Sequence, residues 1–210
     1  PPPFAASLFR MDGTRIERIR GSADQAIATL HPAYFAMSMA TGIVALACSS
    51  LGLVDLSIVL FWINVVAYGL LWSATLARAR FYPRAFFADW TSHQRGPGFF
   101  TSVAATCVLG TQFVVQRHAS AVGFALWLVA LLLWFVCTYT VFVALSIRED
   151  KPSLADGING GWLVAVVATQ AICVLGCHVL PDRFSDRNAA LFLLTCFWLC
   201  GGMLYVWMIS

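Results

Sequence analysis

The sequence predicts an all-α integral membrane protein made of helical hairpins, with odd-numbered helices forming an inner pore ring and even-numbered helices an outer ring. Three observations predict it. The 210-residue chain is 60% hydrophobic and 11% charged, with a mean hydropathy of +0.79, whereas soluble domains carry about a quarter charged residues. Its apolar runs approach or exceed the roughly 20 residues that cross a hydrocarbon core. They do not alternate as the ~10-residue strands of a membrane barrel do, so backbone pairing in lipid requires helices. Finally, the runs alternate in kind: odd ones hold the Gly, Ser, Thr, Asn and Gln, and even ones most of the Trp and large aliphatics.

Residues 1–30 read as an N-terminal cytoplasmic or interfacial segment, and residues 31–210 as the transmembrane domain. Residues 1–14 are expected to be loose. From Arg15 to Leu30, the apolar Ile16, Ile19, Ala23, Ile27 and Leu30 recur at helical spacing, with Arg15, Glu17, Arg18 and Arg20 elsewhere on the wheel. That pattern predicts an amphipathic helix lying on the membrane surface. The chain starts at Pro1 without a methionine and stops at Ser210 directly after an apolar run, which reads as a fragment of a longer protein.

Span 1 is expected over Pro32–Leu51, opened by a proline suited to the first turn, with the small, polar face Tyr34, Ser38, Thr41, Gly42, Ala45 and Ser49. Span 2, Leu56–Ala77, is bulky, and Asn64 is its one strong polar group. Residues 78–97 carry Arg78, Arg80, Arg84 and Arg95 among Phe81, Tyr82, Phe86, Phe87 and Trp90, the mixture found at a membrane–water interface. Gly96-Pro97-Gly98 punctuates the start of span 3, Phe99–Val115, which holds Thr101, Ser102, Thr106 and Thr111. Span 4, Ala121–Ile147, is apolar and long enough to tilt. Span 5, Ile158–Leu180, opens on Asn159-Gly160-Gly161-Trp162 and carries Thr169 and Gln170 near mid-membrane. Span 6, Ala189–Ile209, is again bulky.

Basic residues set the orientation. The side preceding span 1 and the loops 2–3 and 4–5 hold Arg10, Arg15, Arg18, Arg20, Arg78, Arg80, Arg84, Arg95, Arg148 and Lys151; the other side holds Arg117, Arg183 and Arg187. The positive-inside bias, 10 against 3 in these residues, puts the N-terminus in the cytoplasm. Location in the plasma (inner) membrane is the corresponding expectation. No basic patch interleaved with aromatics is present, which argues against nucleic-acid binding.

The candidate pathway residues are Ser38, Thr41, Gly42, Ser102, Thr106, Asn159, Gly160, Trp162, Thr169 and Gln170. Small residues let helices approach closely, and hydroxyls and amides can line a cavity; the same residues also serve ordinary helix packing. With the N-terminus inside, the odd helices direct their positive ends, about half an elementary charge each, toward one mouth. No Asp, Glu, Lys or Arg lies well inside a span, so a hydroxyl- and amide-lined lumen suits an anion better than a cation. No cofactor or metal is expected. The alternative is a membrane redox protein holding haem or quinone, for which His31, His93, His118 and His178 sit at span ends. Cys173/Cys177 and Cys196/Cys200 have i, i+4 spacing, which packing explains.

Three motifs carry a family resemblance: His31-Pro32-Ala33-Tyr34-Phe35 with Ala40-Thr41-Gly42-Ile43, Arg95-Gly96-Pro97-Gly98-Phe99-Phe100, and Ile158-Asn159-Gly160-Gly161-Trp162. Together they resemble the tellurite-resistance/C4-dicarboxylate transporter family, which includes bacterial tellurite-resistance proteins, yeast malate permease, sulfite efflux pumps and plant slow anion channels. The resemblance implies about ten helices in five hairpins, odd helices around a central pore and trimeric assembly. It also implies transport of small anions of the dicarboxylate, tellurite, sulfite or halide/nitrate class, without an enzymatic step. The family's pore-blocking phenylalanine has no counterpart among these spans.

Overall fold

The computed structural model describes residue 21 and residues 24–147, 160–181, 183, 184 and 186–210. Among them the regular structure is helical, without strands. The helices are α1 (Phe35–Ser50), α2 (Val54–Phe81), α3 (Pro83–Trp90), α4 (Phe100–Arg117), α5 (Ser120–Ile147), α6 (Leu163–Val179) and α7 (Arg187–Ile209). Single 3-10 turns at Pro32–Tyr34, Gly96–Phe99 and Gly160–Trp162 lead into α1, α4 and α6. Six helices are long and apolar enough to cross a membrane, and the chain is a multi-pass membrane protein. The eight-residue α3 is the exception, a short helix between two spans. Residues 24–28 are helical. Of the expected amphipathic stretch, residues 15–20, 22 and 23, like Asn159 and the loop from Arg148, lie outside the described residues.

The spans overrun several expected limits. α2 continues beyond Ala77 to Phe81 and takes Arg78 and Arg80 into its last turn, where cations meet the negative end of the helix. Tyr82 then leaves the helical region (φ −128°, ψ 52°) and Pro83 starts α3, since proline suits a first turn and breaks the one before it. The third span begins at Gly96 and runs to Arg117. It closes on His118 in the left-handed conformation (φ 53°), with His118 N–H donating to Val114 O and Ala119 N–H to Phe113 O, a closure that satisfies the terminal carbonyls. α7 is capped by Asp186, whose carboxylate accepts from the Asn188 and Ala189 N–H groups.

The third span is the hub. In its most apolar stretch 78% of the residues are buried, against 44% for Gly160–Val179, 28% for Pro32–Ser50 and 17–22% for the three even spans. α4 packs on α1, α5 and α6; α2 lies mainly on α1, and α7 on α6. The odd spans therefore form a row, α1–α4–α6, and the even spans flank it. Trp62, Leu70, Phe135, Phe192 and Trp207 on the even helices are exposed, as suits side chains facing lipid. The main core joins Val103 and Cys107 of α4 to Trp127 and Ala130 of α5 and to Ala168, Ile172 and Leu175 of α6. Glycines set the close contacts: a Cβ on Gly110 would meet Leu175 Cδ2 at 2.5 Å, and one on Gly176 would meet Leu194 Cδ2 at 2.3 Å. Small residues at crossings are what brings helices together in lipid, where apolar burial alone gives them no preference for each other.

Candidate functional site

The three motif segments are the three 3-10 turns. The Gly96–Phe99 turn touches both of the other two, so α1, α4 and α6 all start at one face. Proline and glycine determine this local geometry. Pro32 and Pro97 occupy first-turn positions, where a missing N–H costs nothing. His31 caps the first turn, its Nδ1 accepting from Ala33 N–H at 3.1 Å. Gly98 permits the contact between turns, because a Cβ there would lie 3.0 Å from Ala33 N. Thr101 Oγ1 lies 2.6 Å from Gly98 O and 3.1 Å from Pro32 O, so its one proton is shared between the two turns. The positive ends of three helices gather here.

Beside the turns, one carboxylate holds two guanidinium groups. Asp89 of α3 is buried; its Oδ2 accepts from Arg78 Nη1 at 2.6 Å. Arg95 Nε sits 3.0 Å from Asp89 Oδ1, close enough for an ion pair though not aligned as a hydrogen bond. Both arginines also reach back to Leu30 O, Arg78 at 2.5 Å and Arg95 at 3.1 Å. Asp89 thus ties together the ends of the first three spans. The cluster carries two positive charges against one negative. Burial holds the His31 imidazole below its ordinary pKa, and the Arg95 guanidinium pushes it the same way.

A buried polar seam runs from this cluster along α1, α2 and α4. Tyr68 hydroxyl pairs with Thr106 Oγ1 at 2.8 Å, and Thr106 donates to Ser102 O. Ser38 Oγ donates to Asn64 Oδ1 at 2.6 Å, and Asn64 Nδ2 donates to Gln112 Oε1 at 2.5 Å. Further on, Gln116 Nε2 donates to Ser57 Oγ at 2.6 Å, and Ser57 donates to Ala45 O. Ser38, Asn64, Thr106 and Gln112 are all fully buried, and Gln112 Nε2 has no hydrogen-bond partner among the described residues. Gly42 packs against the centre of the seam: a Cβ there would be 2.5 Å from Val108 Cγ1, 2.8 Å from Asn64 Nδ2 and 3.0 Å from Gln112 Oε1.

Of the residues the sequence singled out, Ser38, Gly42, Ser102 and Thr106 come together in or beside this seam. Trp162 is buried on α6's lead-in turn, its ring 6.2 Å from Phe142. Thr169 is buried and accepts from Trp134 Nε1 of α5 at 2.8 Å. Gln170 turns the other way, donating to Trp198 O on α7. Thr41 is half-buried and bonds its own helix at Met37 O, and Gly160 is exposed. Asn159 lies outside the described residues. Asp89, Gln112 and Gln116 were not singled out. Asn64 carried the available signal, since a strong polar group in an otherwise apolar span must find a partner. His118 caps α4, His178 sits in the last turn of α6, and among the described residues no group of three or more His, Cys, Asp or Glu could hold a metal ion.

This geometry defines a class: a polytopic α-helical membrane protein in which parallel odd helices start at one face around 3-10 turns rich in proline or glycine, and bulkier partners flank them. The chain belongs to the voltage-dependent anion channel (SLAC1) family, which it matches over residues 29–210, in keeping with the resemblance carried by the three motifs. It is 26% identical over 187 residues to the sulfite efflux pump SSU1 of Trichophyton rubrum, covering 84% of this chain and 49% of the pump. The corresponding pump of Arthroderma benhamiae is 25% identical with the same coverage. An uncharacterized transporter of Methanocaldococcus jannaschii is 24% identical over 86% of this chain and 54% of its own length. The chain thus spans about half the length of the curated relatives it matches. No solved structure matches it significantly.

Proposed function

We propose that this chain forms part of a transmembrane pathway for small anions, bounded by the odd helices α1, α4 and α6. The observation that carries the proposal is the meeting of the three 3-10 turns beside a cluster with a net positive charge. Helix N-termini and guanidinium groups favour anions at that mouth. In this reading Ser38, Gly42, Ser102, Thr106, Trp162 and Thr169 fix the spacing of the wall and Thr41, Asn159 and Gly160 offer it polar groups, while Gln170, bonded to Trp198 O on α7, braces α6 from behind. Two of the relatives are named as sulfite efflux pumps, which makes sulfite the first substrate to test, ahead of malate and other C4-dicarboxylates, tellurite, nitrate and halide. The protein acts by passage, without a chemical step. Its N-terminus lies in the cytoplasm of a plasma-membrane protein, and by the family resemblance the assembly is a homotrimer. Nothing in the geometry or the comparisons supports a haem or quinone enzyme.

The test is flux through the full-length protein reconstituted into liposomes. Uptake of sulfite above protein-free vesicles is expected, with nitrate, chloride and malate compared in parallel. If none of these anions enters faster than it does in empty vesicles, the proposal fails.

A further inference from the structure

The four arginines from the last turn of the second span to the start of the third divide into two pairs. Arg78 and Arg95 are paired with Asp89. Arg80 and Arg84 are exposed, and among the described residues neither has an ion-pair or hydrogen-bond partner. Asp89, the acidic residue of this segment, is already committed. Phe81 and Phe87 stand in the same segment, 72% and 65% exposed. The depth of the site follows from the helix. α2 has 28 residues, about 42 Å at 1.5 Å per residue, which matches a bilayer measured to its headgroups. Arg80, in its last turn, therefore sits at headgroup level, and the break at Tyr82–Pro83 carries Arg84 on from that level.

From this we propose that the Arg80–Phe87 segment is a binding site for an anionic phospholipid. The phosphodiester pairs with Arg80 and Arg84, and Phe81 and Phe87 enter the boundary between headgroups and acyl chains. Charge complementarity selects the lipid, because two unpaired guanidinium groups at headgroup depth attract a net negative headgroup more strongly than a zwitterionic one. The exposed phenyl rings distinguish a lipid from a soluble anion, since they gain only if acyl chains accompany the phosphate.

The experiment uses the full-length protein, stripped of co-purified lipid and offered equal amounts of phosphatidylglycerol and phosphatidylcholine, with bound lipid read by native mass spectrometry. Phosphatidylglycerol is expected to be retained preferentially, with retention falling as salt rises. The R80Q/R84Q double variant is expected to lose roughly thirty-fold in affinity, the product of two single-charge losses. R80K/R84K should restore much of the binding. R117Q, which removes a guanidinium stacked over Phe61 and Trp62 at the opposite end of the bundle, should leave it unchanged. Equal retention of the two lipids by the unmodified protein would overturn the proposal, as would an unchanged double variant. So would displacement of the lipid by inorganic phosphate at matched concentration, which would make the site one for a free anion.

Discussion

Replacing Asp89 with asparagine is expected to destabilise the detergent-solubilised protein by about 3–5 kcal/mol, the cost of stranding a buried charge. Asparagine keeps the shape and removes the charge that Arg78 and Arg95 share. Arg78 is 4% exposed and cannot turn to water without opening the contact between the second span and Leu30. The loss should appear as a lower midpoint of thermal or detergent-induced unfolding. The double variant Arg78→Leu/Asp89→Leu should be milder than Asp89→Asn alone, because the buried guanidinium goes with its carboxylate and the one left, Arg95, has a side chain 33% exposed to solvent. An Asp89→Asn protein as stable as the unmodified one would mean that the carboxylate does not hold these span ends together.

Gly42→Leu is expected to cost about 3 kcal/mol or more and to abolish transport. Overpacking at a tight contact commonly costs 1–3 kcal/mol, and this contact has little room to relax. The first added atom would already lie 2.5 Å from a short, stiff Val108 branch and 2.8 Å from Asn64 Nδ2. Moving Asn64 breaks its bonds to Ser38 and Gln112 together. The substitution therefore pries α1 from α4 at mid-membrane. Gly202→Leu is the control, since nothing lies within 4 Å of a Cβ there; it should fold and transport normally. Equal melting temperatures and equal flux in the two variants would contradict the close crossing at Gly42.

The spans were legible because lipid imposes a coarse rule on composition. Helices that flank the row, such as α5 and α7, need mostly apolar surface, whereas α4 is covered by its neighbours and can hold Thr101, Ser102, Thr106 and Thr111. That difference is written residue by residue, and it survives without knowledge of which helices touch. The three turn motifs were legible for the same reason, being short and local. Their contact was not, since Ala33 and Gly98 meet only through the packing of separate helices. The Asp89 cluster was hidden in another way: its partners lie in two further elements, and an interfacial stretch of arginines and aromatics reads as a belt whichever of its charges is buried. Asn64 announced that it needed a partner, but the glutamine that satisfies it lies 48 positions away, a distance periodicity does not bridge. Gln170 was grouped with Thr169 by adjacency, yet neighbouring residues on a helix diverge by about 100°, and the two bond to different flanking helices.

The most direct test of the pathway is the reach of water along the odd helices in the full-length protein. With the native cysteines replaced by alanine, single cysteines placed at Thr41 and Gly160 should react with a charged, membrane-impermeant methanethiosulfonate, and nitrate should slow the reaction. Cysteines at the exposed positions Val66 and Phe192 on the even helices should stay unmodified. Modification at Val66 and Phe192 with none at Thr41 and Gly160 would place the water on the wrong side of the bundle and contradict a route between the odd helices.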